Sequence, residues 1–214
     1  MRAYSYTLLL IITIISSSCQ QKKTTENDKA FEKLAASYID SYLSWRPQYG
    51  TYLGLHEYDG KITDYSDVSI EKELTKLKEF DKKFEAIDVN SISKKNYYDL
   101  QMLKLSVKNE IFNIVDLHYY QKNPMAYAGA IDINIYIKRN FAPIEQQIKS
   151  IIAIEKEAPK LYENAKKNLA DTLSKPHTEL AISIAKGTAS FLEKDVLIAL
   201  KKVKDTALLN ELKT

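Results

Sequence analysis

Apolar residues recur every three or four positions through most of the chain, which is the spacing of amphipathic α-helices. The first such stripe begins at Phe31, ends at Trp45 and is followed by Arg46 and Pro47. Because the residue before a proline disfavours helical backbone angles, the first helix is predicted to end there. A second stripe covers residues 70–87 and predicts a surface helix with one buried face.

Candidate start and stop residues flank the next helices. The second helix has Asp67 or Ser69 as a candidate N-terminal cap. The third and longest stripe runs from Tyr97 to His118, and the Asn-Pro pair at 123–124 is predicted to stop it. His118 is interpreted as a structural residue at the helix end, where a cation is favourable against the helix dipole.

Prolines divide the C-terminal part into further helices. Pro143 is predicted to start one that runs to about Glu157, Pro159 to start the next, and Pro176 to start the last, toward Lys204. Five glycines and five prolines among 214 residues are too few for the frequent turns of a β-sandwich. The predicted fold is therefore all-α, an irregular bundle of about seven helices without an internal repeat.

Two segments lack the helical period. Residues 47–66 contain three glycines and predict one Gly-rich structured loop, or a turn with a short extended piece. Residues 126–140 alternate apolar and polar side chains as a strand does, but no other segment offers a strand partner. Since an isolated strand is not stable, we interpret 126–140 as helical.

The N-terminus resembles a bacterial lipoprotein signal. A mostly apolar run at 8–15 is followed by serines at 16–18 and by Cys19, the one cysteine of the chain. Cleavage before Cys19 would free this residue to take lipid, so Cys19 is the predicted lipidation site. Plain secretion and a retained membrane segment are the alternatives, and the latter is disfavoured because a bilayer requires roughly 20 apolar residues.

These features predict three parts: a lipoprotein signal peptide at 1–19, a polar tether at 20–27 and a helical domain at 28–214. The predicted location is the bacterial cell envelope, with a lipid anchor in a membrane. The formal net charge is +3, and the lysine pairs are scattered among acids. No nucleic-acid partner is predicted, because that function requires basic residues gathered on one face.

No catalytic or metal-binding motif is visible in the chain. Its three histidines, at 56, 118 and 177, form no His-Glu-x-x-His pattern, which places two zinc ligands on one helix face. Nucleophile elbows and phosphate-binding loops are also absent from the sequence. We therefore assign no catalytic residue, no metal ligand and no cofactor to this chain.

Two stretches resemble the bacterial domain-of-unknown-function 885 family. The first is WRPQYGTYLGLHEYDGKITDYS at 45–66, here named the signature loop, and the second covers 123–177. Both occur in the family's order and separation. The positions that carry the first resemblance are Trp45, Pro47, Gly54, His56, Tyr58, Asp59, Asp64 and Ser66.

The resemblance implies a function that this chain would perform only in part. Family members are longer, are often exported or lipid-anchored, and resemble helical zinc peptidases in a C-terminal half that carries the zinc motif. This chain matches their N-terminal helical part, so zinc is expected only in the absent half and the chain is expected to be inactive alone. The signature loop would be structural or would shape the substrate cleft.

The resemblance also implies partners and leaves alternatives open. The expected partners are a membrane, through the anchor, and a missing C-terminal half or a peptide substrate. Helices such as 124–140 are expected to expose apolar surface, because few partners within the chain could cover them. The alternative function is a stand-alone helical lipoprotein that binds a partner or ligand at the envelope. A complete enzyme with an unrecognised site is least favoured.

Overall fold

The computed structural model describes residues 25–201 and 203–212, and these residues form helices and loops without a β-strand. The all-α prediction is confirmed. Cys19 and the predicted signal peptide lie outside the described residues. The helices are α1 (Glu26–Trp45), α2 (Pro47–Tyr52), α3 (Asp67–Glu85), α4 (Lys94–Val115), α5 (Tyr119–Lys122), α6 (Met125–Ala128), α7 (Asn134–Lys138), α8 (Ile144–Asn168), α9 (Lys175–Ser190), α10 (Leu197–Ala199) and α11 (Thr206–Glu211). Between α9 and α10 the chain continues in π-helical turns, Phe191–Val196.

The first helix begins two residues before the predicted start of the domain. Thr25 caps α1: its hydroxyl accepts from the Asp28 N–H at 3.1 Å, and the Asp28 carboxylate accepts from the Thr25 N–H at 3.2 Å. The other Asp28 oxygen accepts from the Ser93 N–H at 2.7 Å and from Asn96 Nδ2 at 2.8 Å. Asp28 therefore joins the N-termini of α1 and α4.

Several predicted boundaries are wrong for local physical reasons. Ser66, not Asp67 or Ser69, caps α3, because its hydroxyl accepts from the Ser69 N–H at 3.3 Å. Pro159 does not start a helix but lies inside α8. His118 lies outside α4 and adopts a left-handed backbone with φ of 48°.

The two segments without helical period are also more irregular than predicted. The signature loop contains α2 and a 3₁₀ turn, His56–Tyr58, instead of an extended piece. The central segment, defined here as residues 124–141, forms α6 and α7 with irregular chain between them, not one continuous helix.

The expectation that this central segment exposes apolar surface is wrong. Helices α6 and α7 pack against α8, and α6 also packs against α9, so the segment is enclosed. Its buried side chains are Tyr127, Ala128, Ala130, Ile131, Ile133, Ile135 and Tyr136. The central segment is thus a core element.

The remaining core lies between the long helices. Leu77 and Phe84 of α3 pack with Leu100 and Val107 of α4, and all four are essentially inaccessible. Exposed apolar side chains occur on the outer face of α4, including Met102 at 71% exposure. Among the described helices, none is both long and apolar enough to cross a bilayer.

Candidate functional site

The signature loop is fastened to the central segment by polar contacts. Gln48 Nε2 donates to the Ala130 carbonyl at 2.8 Å. The Tyr52 hydroxyl donates to Asp132 Oδ2 at 2.5 Å. Burial, followed by this bond to Asp132, raises the pKa of Tyr52 to about 12, so the phenol keeps its proton at neutral pH.

Gly60 makes another polar contact between the signature loop and the central segment. The Gly60 N–H donates to the Tyr136 hydroxyl at 2.8 Å. Gly60 has φ of +73°, and a Cβ there would lie 3.2 Å from the Ser150 backbone. Only glycine allows both this backbone conformation and this close approach to α8.

His56 is held by Phe141 and Asp59. Its ring stacks on Phe141 with centroids 4.3 Å apart, and its Nδ1 lies 3.1 Å from Asp59 Oδ2. The other Asp59 carboxylate oxygen is buried without a hydrogen-bond partner in the described part of the chain. This arrangement orients the imidazole within the loop.

The other signature positions also serve the local fold. Pro47 is buried as the first residue of α2. Gly54 has φ of +86° and ends the turn after α2. The Tyr58 ring lies against Gly50, where a Cβ would come within 2.4 Å of it. Each position is therefore explained by backbone geometry or packing.

Trp45 belongs to an aromatic cluster below the loop. Its Nε1 donates to Ser69 Oγ at 3.0 Å, and its ring meets those of Tyr65 and Tyr120 edge to face. Tyr65 in turn meets the ring of Tyr127 at 5.3 Å. Such pairs stabilise a core beyond their area alone, so the cluster fixes the loop to the bundle.

A buried ion cluster adjoins these rings. Arg46 donates through Nη1 to Glu73 Oε1 at 3.0 Å and through Nη2 to Glu110 Oε2. Its guanidinium also lies over the Tyr42 ring, 4.1 Å from the centroid, and near Trp45. We name Arg46, Glu73 and Glu110 the Arg46 triad.

Burial sets the electrostatics of the Arg46 triad. The Glu73 side chain is only 2% exposed, and this burial, partly offset by Arg46, raises the pKa of its carboxyl. Burial lowers the pKa of Arg46, but Glu110 and Glu73 outweigh that effect and raise it. The guanidinium is therefore charged and joins the end of α1 to α3 and α4.

The sequence interpretation missed the Arg46 triad. The sequence feature that could have revealed the triad is Glu73, which lies on the same helix face as Ile70, Leu77 and Phe84. A carboxylate at a core position requires a partner, and Arg46 beside the conspicuous Trp45 was the candidate.

Two cavities border these elements. One of about 300 Å³ lies between residues 60–65 of the signature loop and α8, with Lys160 Nζ 3.5 Å from Asp64 Oδ2 at its rim. The other, of about 900 Å³, lies between α8, the π-helical turns and α11. Within 25–201 and 203–212, no group of three His, Cys, Asp or Glu residues is arranged to hold a metal ion. No step through zinc is assigned to these residues.

The fold and the loop define a helical protein in which the signature loop is fastened to an aromatic cluster of the core, and the described residues contain no group of three candidate metal ligands. This chain belongs to the DUF885 family, bacterial proteins of unknown function, whose family model matches residues 47–214. Trp45 lies just before the matched range. A search of the curated proteins finds no match.

One solved structure shares the fold. It is described as "a putative lipoprotein of unknown function from Shewanella oneidensis", and it is similar with a TM-score of 0.75 at 23% sequence identity. The match covers 86% of this chain and 34% of the other, so this chain spans about a third of that protein's length.

Proposed function

We propose that this chain forms a non-catalytic helical wall of a lipid-anchored, peptidase-like protein of the cell envelope. The observation that carries the proposal is the fastening of the signature loop. Every signature side chain described above supports backbone geometry or packing, and none joins a metal-binding group in the described residues. A rigid loop at the rim of a cleft suits substrate positioning, while chemistry would come from the longer family members' C-terminal half.

The 300 Å³ cavity supports the wall function. Residues of the signature loop form one side and α8 the other, so the loop's conformation determines the cavity's shape. A direct test is to mix the full chain with the C-terminal half of a longer family member and measure copurification. Stable copurification is expected, and Gly60→Val should weaken it by displacing the loop, whereas Gly187→Ala on the open side of α9 should not. Failure of the wild type to copurify would contradict the wall function.

The anchor is proposed from the sequence around Cys19. Cys19 is the one thiol of the chain and follows an exportable apolar run. The description of the similar Shewanella protein as "a putative lipoprotein" is consistent with an anchor in this fold. Cys19→Ala should move the protein from the detergent phase to the aqueous phase in phase partitioning. Ser18→Ala, which keeps a small residue before the cysteine, is the matched control and should remain in the detergent phase. Retention of Cys19→Ala there would contradict anchoring through this residue.

A second candidate function is ligand binding by the chain as a stand-alone envelope protein. The 900 Å³ cavity favours it, because that volume lies in the range of small-molecule sites. One measurement distinguishes the two functions. The wall function requires the C-terminal half of a relative, whereas a stand-alone binding protein binds its ligand in the absence of that half.

A further inference from the structure

The 900 Å³ cavity has mostly apolar walls built by two irregular helices. On one side lies α8 around Pro159, and on the other lie α9 and the π-helical turns, with α11 closing one end. π-Helical turns within a helix often mark functional sites. The apolar lining includes Tyr162, Ala185, Leu192 and Leu197.

Glu155 introduces a carboxyl group into these walls. No hydrogen bond or ion pair to its side chain occurs in the described part of the chain, and the Glu155 residue is half-buried. Burial raises the pKa of this carboxyl to about 7. A desolvated carboxyl without a partner costs stability, so its presence in a cavity suggests a ligand.

Pro159 follows Glu155 by one helical turn on α8, and both residues line the cavity. The Glu155 carboxylate can accept through two oxygens, which suits a ligand group with several N–H donors.

The other charges around the cavity favour a cation. Lys156 is engaged by Glu211 at 2.6 Å, so this pair contributes little net charge. Glu193 also lines the cavity and adds a second carboxylate, and Tyr162 is the further titratable group facing it. The lining is therefore apolar with a negative excess.

We propose that this cavity binds an amphiphilic organic cation, a primary ammonium group on a short apolar body. The ammonium group lies at Glu155, where it donates to the carboxylate oxygens. The apolar body lies against Leu192, Leu197 and Tyr162. This proposal specifies a ligand class for the binding alternative, and it depends neither on the lipid anchor nor on a peptidase half.

Hexylamine is a suitable probe because its ammonium group, like that of lysine, titrates near pH 10.4 and stays charged at neutral pH. Isothermal titration of the full chain at pH 8 should show saturable binding of hexylamine, with hexanol and hexanoate at least tenfold weaker. Glu155→Gln keeps the shape and removes the charge, so it should weaken hexylamine about tenfold or more. Glu157→Gln, on the same helix but outside this cavity, is the matched control and should bind as the wild type does.

A pH series and a cavity-filling variant test the same site independently. Since only ionised Glu155 pairs with the ammonium, the apparent Kd should rise about tenfold from pH 8 to pH 6, as the ionised fraction falls from roughly nine tenths to one tenth. Glu155→Gln should lose most of this dependence. Ala185→Phe, which fills the cavity, should abolish binding while circular dichroism shows an unchanged helix content.

Three results would overturn the proposal. Hexanol binding as tightly as hexylamine would show an apolar cavity without cation selectivity. Equal affinity of Glu155→Gln and the wild type would remove Glu155 from the site. Absence of saturable hexylamine binding to the folded wild type would reject the site itself. None of these results bears on copurification with a C-terminal half or on Cys19.

Discussion

Replacing Arg46 by methionine should be among the most damaging single changes in the described fold. Among the described residues, Arg46 is the one hydrogen-bonding partner of the Glu73 carboxylate, whose side chain is 2% exposed. Arg46→Met keeps most of the apolar stem but leaves that carboxylate buried without a counter-charge. It also removes the guanidinium contacts with the Tyr42 and Trp45 rings.

The expected cost is about 3–5 kcal/mol of unfolding free energy at pH 7, the usual effect of removing one partner from a buried ion pair. Glu110 contributes less, because its side chain is 21% exposed and is partly hydrated. A loss of this size is a large part of the 5–15 kcal/mol that stabilises an ordinary domain. The variant should therefore be close to unfolding at 37 °C.

The sign of the pH dependence follows from Glu73. Its folded pKa is already raised, and loss of Arg46 raises it further above the unfolded value of about 4.3. Between those two pKa values the folded state binds more protons than the unfolded state. The stability of Arg46→Met should therefore fall as pH rises through this window, by at most about 1.4 kcal/mol per pH unit.

Urea unfolding of the full chain, followed by circular dichroism at pH 5 and pH 8, measures both effects. Lys175→Met is the matched control, because Lys175 and Glu179 are 3.8 Å apart and 85% and 65% exposed, so it should cost no more than about 1 kcal/mol. The double variant Arg46→Met/Glu73→Met should recover much of the loss, since an apolar pair can replace a buried ion pair. A cost below about 1 kcal/mol for Arg46→Met, or a double variant as unstable as the single one, would refute the reasoning.

Two further pairs of substitutions test the packing and the signature loop by the same urea assay. Leu100→Ala should cost about 2–5 kcal/mol because Leu100 is fully buried, while Met102→Ala, at a site 71% exposed, should change stability little; similar values for both would contradict the assigned faces of α4. Gly60→Ala should cost more than Gly54→Ala. Both glycines have positive φ, but only Gly60 brings the new Cβ against the α8 backbone, so equal costs would argue against that close approach.

The long helices could be predicted because their period and their caps are local properties. Phe31 and Tyr38 belong to the stripe that defined α1, and both are buried. Pro47 ended that helix as expected. The cap of α3 is Ser66 instead of the predicted Asp67 or Ser69, and this difference shifts the start of one helix without changing the fold.

The central segment could not be predicted from its pattern, because its conformation is decided by what surrounds it. Alternation at 131–138 is typical of a strand, yet Ile133 and Ile135 are buried between other elements, and Asp132 Oδ1 accepts from the Asn134 N–H at 3.0 Å in a local turn before α7. Enclosure by α8, α9 and the signature loop depends on contacts far apart in sequence. A pattern of polarity alone does not reveal them.

The roles of Pro159 and Arg46 also depend on contacts with other parts of the chain, so the local sequence did not predict them. Proline disfavours a helix interior, but the packed apolar face of α8 on both sides of Pro159 offsets the one lost hydrogen bond. Arg46 was noted only as the residue before a proline, because its partners Glu73 and Glu110 lie on other helices. The signature motif was found in the sequence, whereas the Arg46 triad beneath it required the structure.

We propose that this chain is a helical wall that performs no peptidase chemistry by itself. The proposal is tested by incubating the purified full chain with zinc and a fluorogenic peptide library, alone and with the C-terminal half of a longer family member. We expect zinc-dependent cleavage only in the mixture, with a rate that saturates as this chain is added. Zinc-dependent cleavage by this chain alone, retained through repurification, would contradict it.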